Sequence, residues 1–164
     1  MSVSTDQLSL RERVSGFVAH EADLADSRDY EGWLALWTPD AVYWVPCNED
    51  DYDPRQHVSI IYDDYQRLAE RCSRLSSQGA YAQEPPSRLC RVMGHVDLAV
   101  DERTDEITAT TKMILVEVRS GLKTVYAARC EYQLVESGGS FKMRAKKVVL
   151  VDNDEPLGNL TFIL

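Results

Sequence analysis

The sequence predicts an α+β fold in which a strongly curved antiparallel sheet wraps around N-terminal helices. Three observations lead there. Apolar residues in the first third recur at three- and four-residue spacings, those beyond Arg88 alternate, and the alternating segments are joined by short polar turns. Helices followed by consecutive strands mark α+β rather than βαβ architecture, because parallel strands need a crossover between each pair. With 164 residues, no linker and no internal repeat, residues 1–164 read as one domain, large enough to bury a core.

Leu10, Val14, Phe17, Val18 and Leu24 lay an apolar stripe along a first helix. Asp26-Ser27 offers a cap for a shorter second helix holding Tyr30, Trp33, Leu34 and Trp37, which Thr38-Pro39 stops. A β-branched and aromatic strand over 41–45 closes at Pro46, and an acidic, aperiodic loop covers 47–56. Residues 57–62 read as extended. Asp63 and Asp64 then suit a helix start, since carboxylates accept orphan N–H bonds and face the positive helix end. Along that helix Leu68, Cys72 and Leu75 form the buried stripe, while Arg67, Arg71 and Arg74 form a separate row. A loop over 76–87 carries Gly79 and Pro85-Pro86.

From Arg88 the period is two. Over 88–101, Cys90, Val92, Val96, Leu98 and Val100 share one face, and Arg91, Met93, His95, Asp97 and Ala99 the other. Strands over 106–119 and 122–136 meet at Ser120-Gly121, and a turn at Ser137-Gly138-Gly139-Ser140 returns the chain through 141–151. Strands of this length twist, so the meander should wrap the helices.

The charge balance removes several function classes. Twenty-seven acidic against eighteen basic residues give −9 and a pI near 4.8. Such a surface does not suit nucleic-acid phosphates. No run of eighteen apolar residues suggests a membrane span, and the first residues have neither the basic nor the apolar part of a signal peptide. Cys47, Cys72, Cys90 and Cys130 are irregularly spaced. Without an export signal, a cytoplasmic protein with free, buried thiols is the expectation.

The search for chemistry is mostly empty. His20, His57 and His95 show no two at ligand spacing, and no CxxC, HxxxH or Rieske Cys-His pair occurs. A site of two histidines and a carboxylate would have to be assembled from distant segments. No G-x-S-x-G or phosphate-cradling loop appears. One constellation remains. Tyr30, Tyr43, His95 and Asp97 can line the hollow of a curled sheet, with His95 and Asp97 as an acid–base pair at i, i+2. The competing reading makes His95 and Asp97 a polar couple on an exposed or subunit-contacting face. Asp63-Asp64 reads as a cap or as a metal or base pair. The arginine row reads as a solvated face or as a docking surface.

Four segments then become informative together: GWLALWTPDAVYWVP, HVSIIYDDYQRLAERCSRL, AYAQEPPSRLCRVMGHV and KKVVLVDNDEPLGNLTFIL. In this order they are spread from residue 32 to residue 164. They resemble the small (β) subunit of Rieske-type aromatic-ring-hydroxylating dioxygenases. Tyr65, where many relatives carry arginine, and Leu89, Cys90 and Met93 depart from the family pattern.

The resemblance implies a cone-shaped fold like nuclear transport factor 2 and scytalone dehydratase. It implies a structural, non-catalytic role in an NAD(P)H-dependent complex that dihydroxylates an aromatic compound. It also implies three large and three small chains, the small ones associating as a trimer. The Rieske 2Fe–2S cluster and mononuclear iron would belong to the large (α) subunit, leaving no catalytic, cofactor or metal residue in this chain. Candidate subunit contacts are Asp50, Asp53, Arg67, Arg71, Arg74, Pro85, Arg88, Leu160 and Phe162. The rival is a stand-alone dehydratase or isomerase using the cavity of the same fold.

Overall fold

The computed structural model describes residues 5–77 and 85–164, with side chains from Ser9 onward. Gly79 and the start of the third quoted segment therefore lie outside the described residues.

Helix α1 (Thr5–Asp26) buries Val14, Phe17, Val18, Ala22 and Ala25. It stops where Arg28 turns left-handed at φ 60 and the Asp29 N–H donates to the Leu24 carbonyl at 2.9 Å. This closing turn satisfies a carbonyl that the helix end leaves free. Asp29 at once caps α2 (Tyr30–Leu34), its Oδ1 accepting from the Gly32 N–H at 2.9 Å. Gly32 suits that cap, because a Cβ there would stand 2.7 Å from Asp29 Oδ2. The cap is thus Asp29, not Asp26-Ser27. The helix also ends before Trp37: the Leu36 carbonyl accepts from the Met143 N–H at 2.7 Å, drawing the chain into the sheet early.

Strand β1 (Trp37–Pro46) pairs antiparallel with β2 (Ser59–Asp64). Helix α3 (Tyr65–Ser76) follows, capped by Asp64, whose side chain accepts from the Arg67 N–H at 2.9 Å. Asp63 does not cap: its Oδ2 accepts from Arg71 Nε at 2.6 Å. Leu68 and Cys72 face the core as expected, with Leu75 half-buried.

The remaining strands are β3 (Arg88–Met93), β4 (Asp97–Val100), β5 (Ile107–Arg119), β6 (Leu122–Ser137) and β7 (Ser140–Leu150). The sheet order is β2-β1-β7-β6-β5-β3, with β4 beside β5. β5, β6 and β7 form the expected meander, turning at Ser120-Gly121 and Gly138-Gly139, all four with positive φ. One pairing departs from the antiparallel expectation: β1 runs parallel to β7. The sheet is therefore mixed.

The strand expected over 88–101 is broken at Gly94. Register sums shift from 206 at Met93↔Met113 to 207 at Asp97↔Thr110, which is one extra residue and hence a bulge. Gly94 N–H donates to the Lys112 carbonyl at 2.7 Å, and a Cβ there would stand 3.2 Å from that oxygen. The bulge reverses the alternation. Val96 points inward, but so does Arg91, while Cys90 and Val92 are exposed. Contrary to the sequence expectation, Cys90, Val92, Val96 and Leu98 therefore do not share one face.

The core fills the inside of the curl. Trp33, Trp37 and Tyr43 meet edge-to-face at centroid distances of 5.3, 5.9 and 6.0 Å. That geometry suits the aromatic quadrupole.

Candidate functional site

A pocket in the hollow would have to form around Tyr43. There, α1 supplies Glu21 and β7 supplies Lys146, each with a side chain 1% exposed. Lys146 Nζ donates to Glu21 Oε1 at 2.7 Å, as does Trp33 Nε1 at 2.6 Å; Tyr132 OH donates to Oε2 at 3.3 Å. Burial alone pushes the Glu21 carboxyl up, but the Lys146 charge and these donors outweigh it and leave it below the ordinary value. Burial, with the Glu21 charge adding to it, pushes the Tyr132 phenol well up. Burial also raises Tyr43. Both phenols therefore act as hydrogen-bond donors, not as bases, at neutral pH.

The rest of the hollow is occupied by the chain's own segment 160–164. Phe162, Ile163 and Leu164 are at most 2% exposed. Tyr43 OH donates to the Leu164 carbonyl oxygen and accepts from the Leu164 N–H, both at 3.0 Å. Lys146 Nζ donates to the same oxygen at 2.9 Å. Arg91, also expected on the other face, is buried between Asp26 and the Ile163 carbonyl and donates to both. Its backbone N–H adds a 2.7 Å bond to Asp26. Tyr126 meets the Phe162 ring edge-on at 5.5 Å.

The four residues of the acid–base reading are not brought together. Tyr30 is buried with its hydroxyl unpartnered, and Tyr43 is committed to Leu164. His95 and Asp97 lie outside, 3.5 Å apart and 67% and 74% exposed. They border an open cleft of about 560 Å³ with Asp50, Lys112, Arg129 and Lys147. Both side chains face solvent there.

The contact candidates divide. Arg67 and Arg74 on α3, and Pro85 and Arg88 before and on β3, are exposed. Arg71 and Leu160 border a common groove of about 380 Å³, although Arg71 already binds Asp63. Asp50 pairs with Arg129 and Asp53 with Arg55. Phe162 lies in its own core.

Sequence reasoning missed Glu21, Lys146, Arg91 and Asp26. A signal existed for Glu21, a charged residue on the Val14–Phe17–Val18 stripe. Among the described residues no three His, Cys, Asp or Glu side chains stand close enough to hold a metal ion. The cysteines are all free, yet only Cys72 and Cys130 are buried; Cys90 is exposed. Burial pushes the Cys72 and Cys130 thiols up to about 11. At pH 8, iodoacetamide should leave both unmodified in the native chain and alkylate them after unfolding, as read by peptide mass. Rapid native labelling of Cys130 would mean that the hollow opens.

A curved sheet closed over helices, with its hollow filled by its own chain, defines a cone-shaped scaffold. The chain belongs to the ring-hydroxylating β-subunit family, whose model matches residues 20–154.

It is similar to the 2-halobenzoate 1,2-dioxygenase small subunit of Burkholderia cepacia, 35% identical over 143 residues, 84% of this chain and 86% of that one. It also resembles the small oxygenase component of the p-cumate 2,3-dioxygenase system of Pseudomonas putida, 28% identical over 157 residues, 94% and 87% of the two chains. The fold matches the β subunit of benzoate 1,2-dioxygenase from Burkholderia mallei, with TM-score 0.75, 22% identity and 99% of both chains covered. It also matches a chain of naphthalene 1,2-dioxygenase solved with indole bound, with TM-score 0.83, 20% identity and 99% and 95% coverage. Among the described residues no helix is long and apolar enough to cross a membrane.

Proposed function

We propose that this chain is the structural small subunit of a cytoplasmic multicomponent dioxygenase, bracing large subunits that perform the chemistry. The observation that carries the reading is the filled hollow of a family member: the place where this fold would hold a substrate holds Phe162, Ile163 and Leu164 instead. The large subunit contributes the Rieske 2Fe–2S cluster and mononuclear iron, with electrons from NAD(P)H through a separate reductase. Three large and three small chains form the assembly. Several relatives are named for benzoate-type substrates, which supports an aromatic carboxylate as the compound dihydroxylated by the whole complex.

Arg67 and Arg74 on the exposed side of α3, Pro85 and Leu160 are the proposed contacts toward neighbouring chains. Arginine suits that role because its planar fork binds carboxylates bidentately. Arg67→Glu combined with Arg74→Glu should reduce recovery of the large subunit in co-purification at least about tenfold, roughly 1.4 kcal/mol. Unchanged recovery would make them solvent-facing decoration.

The test of the role itself is reconstitution. The purified chain should hold no stoichiometric iron and turn over nothing. Mixed with its large subunit and reductase, it should support oxygen-dependent consumption of benzoate-type substrates. Turnover by the isolated chain would overturn the proposal.

A further inference from the structure

The groove of about 380 Å³ beside α3 has an unequal lining. Ile60 and Ile61 of β2, with Leu157 and Leu160 of the segment that follows β7, make part of it apolar. Arg71 and Asn153 supply hydrogen-bond donors. Ligand pockets run from about 300 to 1,000 Å³ and join an apolar lining to a few placed polar groups, so this one has room for a small molecule. Glu155 is its one acidic lining residue, and it is exposed, so salt and water screen it.

Both donor residues have unused capacity. Asn153 is only 7% exposed, yet its Nδ2 makes no hydrogen bond among the described residues. Buried amides rarely go unpaired in native proteins, and each exception calls for a partner. The residue is held in place through its backbone carbonyl, which accepts from the Asn48 N–H at 3.1 Å. Arg71 donates through Nε to Asp63 at 2.6 Å. That single bond uses one of several guanidinium N–H groups and leaves the edge with the terminal nitrogens. Such an edge grips a carboxylate through a pair of parallel bonds.

We propose that this groove binds a small monocarboxylate with a compact apolar body. The carboxylate would lie on Arg71 and Asn153, and the body against Ile60, Ile61, Leu157 and Leu160. A charged head is favoured over a neutral one because hydrogen bonds to an ionised acceptor are about twice as strong. The site goes beyond the bracing role and does not depend on it. It has a consequence within the chain, because the wall made by residues 153–160 continues into Phe162, Ile163 and Leu164, which fill the hollow. A ligand bridging α3 and that wall favours the closed arrangement by mass action.

The test titrates the purified full-length chain with sodium isovalerate, and with isovaleramide as its neutral counterpart, by calorimetry. Isovalerate should bind with a Kd of about 1 mM or tighter, and the amide at least about tenfold more weakly. Cys47 borders the same groove with a free thiol, whereas Cys90 does not line it. Saturating isovalerate should therefore slow alkylation of Cys47 at least about fivefold and leave Cys90 unchanged. Arg71→Lys keeps a cation for Asp63 but lacks the planar fork, and Asn153→Asp keeps the shape but repels an anion. Each should weaken isovalerate at least about tenfold at unchanged circular dichroism. If either variant misfolds, the acid–amide comparison and the Cys47 footprint on the wild type still decide. Equal binding of acid and amide, no binding at about 10 mM, an unprotected Cys47, or folded variants that bind like the wild type would each overturn the site. None of these outcomes touches the small-subunit reading, which stands or falls on reconstitution.

Discussion

Lys146→Met should destabilise the fold by about 3–5 kcal/mol, the usual cost of stranding one member of a buried ion pair. For a domain of this size that corresponds to a fall in melting temperature of roughly 10–15 °C. The cost comes from Glu21. Its carboxylate is buried, and without Lys146 it keeps only the Trp33 and Tyr132 donors. Combining the change with Glu21→Gln should recover much of the loss, because the neutral amide oxygen still accepts from Trp33 and Tyr132 while no charge is left unpaired. A Lys146→Met variant within about 1 kcal/mol of wild type would show that the pair is solvated in solution.

The same pair sets a pH dependence whose sign differs between the two proteins. In the wild type the folded Glu21 carboxyl sits below its ordinary value of 4.5. Its contribution is complete above that value and is lost as the pH falls through the depressed folded one. Without Lys146, burial prevails and the folded carboxyl moves above 4.5. The variant then gains relative stability as the carboxyl takes up a proton. The stability gap should therefore be widest near neutrality and narrow as the pH approaches and passes below 4.5. Urea denaturation across that range reads it directly. A constant gap would assign the loss to the lysine's packing.

What could be read from the sequence was local. Apolar spacing located α1 and the buried stripe of α3, and Asp64 caps α3 because an aspartate before a helical run has one obvious hydrogen-bonding use. The turns at Gly121 and Gly138-Gly139 were legible because positive φ selects glycine. What was illegible was non-local. The parallel pairing of β1 with β7 depends on where the end of the meander falls against the start of the sheet. A single extra residue at Gly94 reversed the alternation and carried Arg91 inside. The Glu21–Lys146 bond joins residues 125 apart in sequence, so neither side chain has a local cue naming its partner. His95 and Asp97 do share a strand neighbourhood, but the bulge sets them on the outside. The tyrosines expected to join them are in the core.

Phe162→Ala should cost about 3–5 kcal/mol, as for other fully buried phenylalanines. The consequence would extend beyond stability, because Phe162 occupies the space a ligand would need. Removing its ring leaves Tyr126 without its edge-to-face partner and loosens a segment whose carbonyls are held by Arg91, Tyr43 and Lys146. Tyr43→Phe isolates the polar part of the same attachment. It deletes one donor and one acceptor, should cost about 1–3 kcal/mol, and should speed exchange of the Leu164 amide. An apolar dye that fluoresces on binding should stain Phe162→Ala and ignore the wild type. If Phe162→Ala melts like the wild type and binds no dye, segment 160–164 lies outside the hollow in solution. The hollow would then be free for a ligand, although His95 and Asp97 would still lie outside it. If the losses appear as expected, the polar groups of this hollow serve the chain's own backbone, and a fold that could surround a substrate surrounds itself.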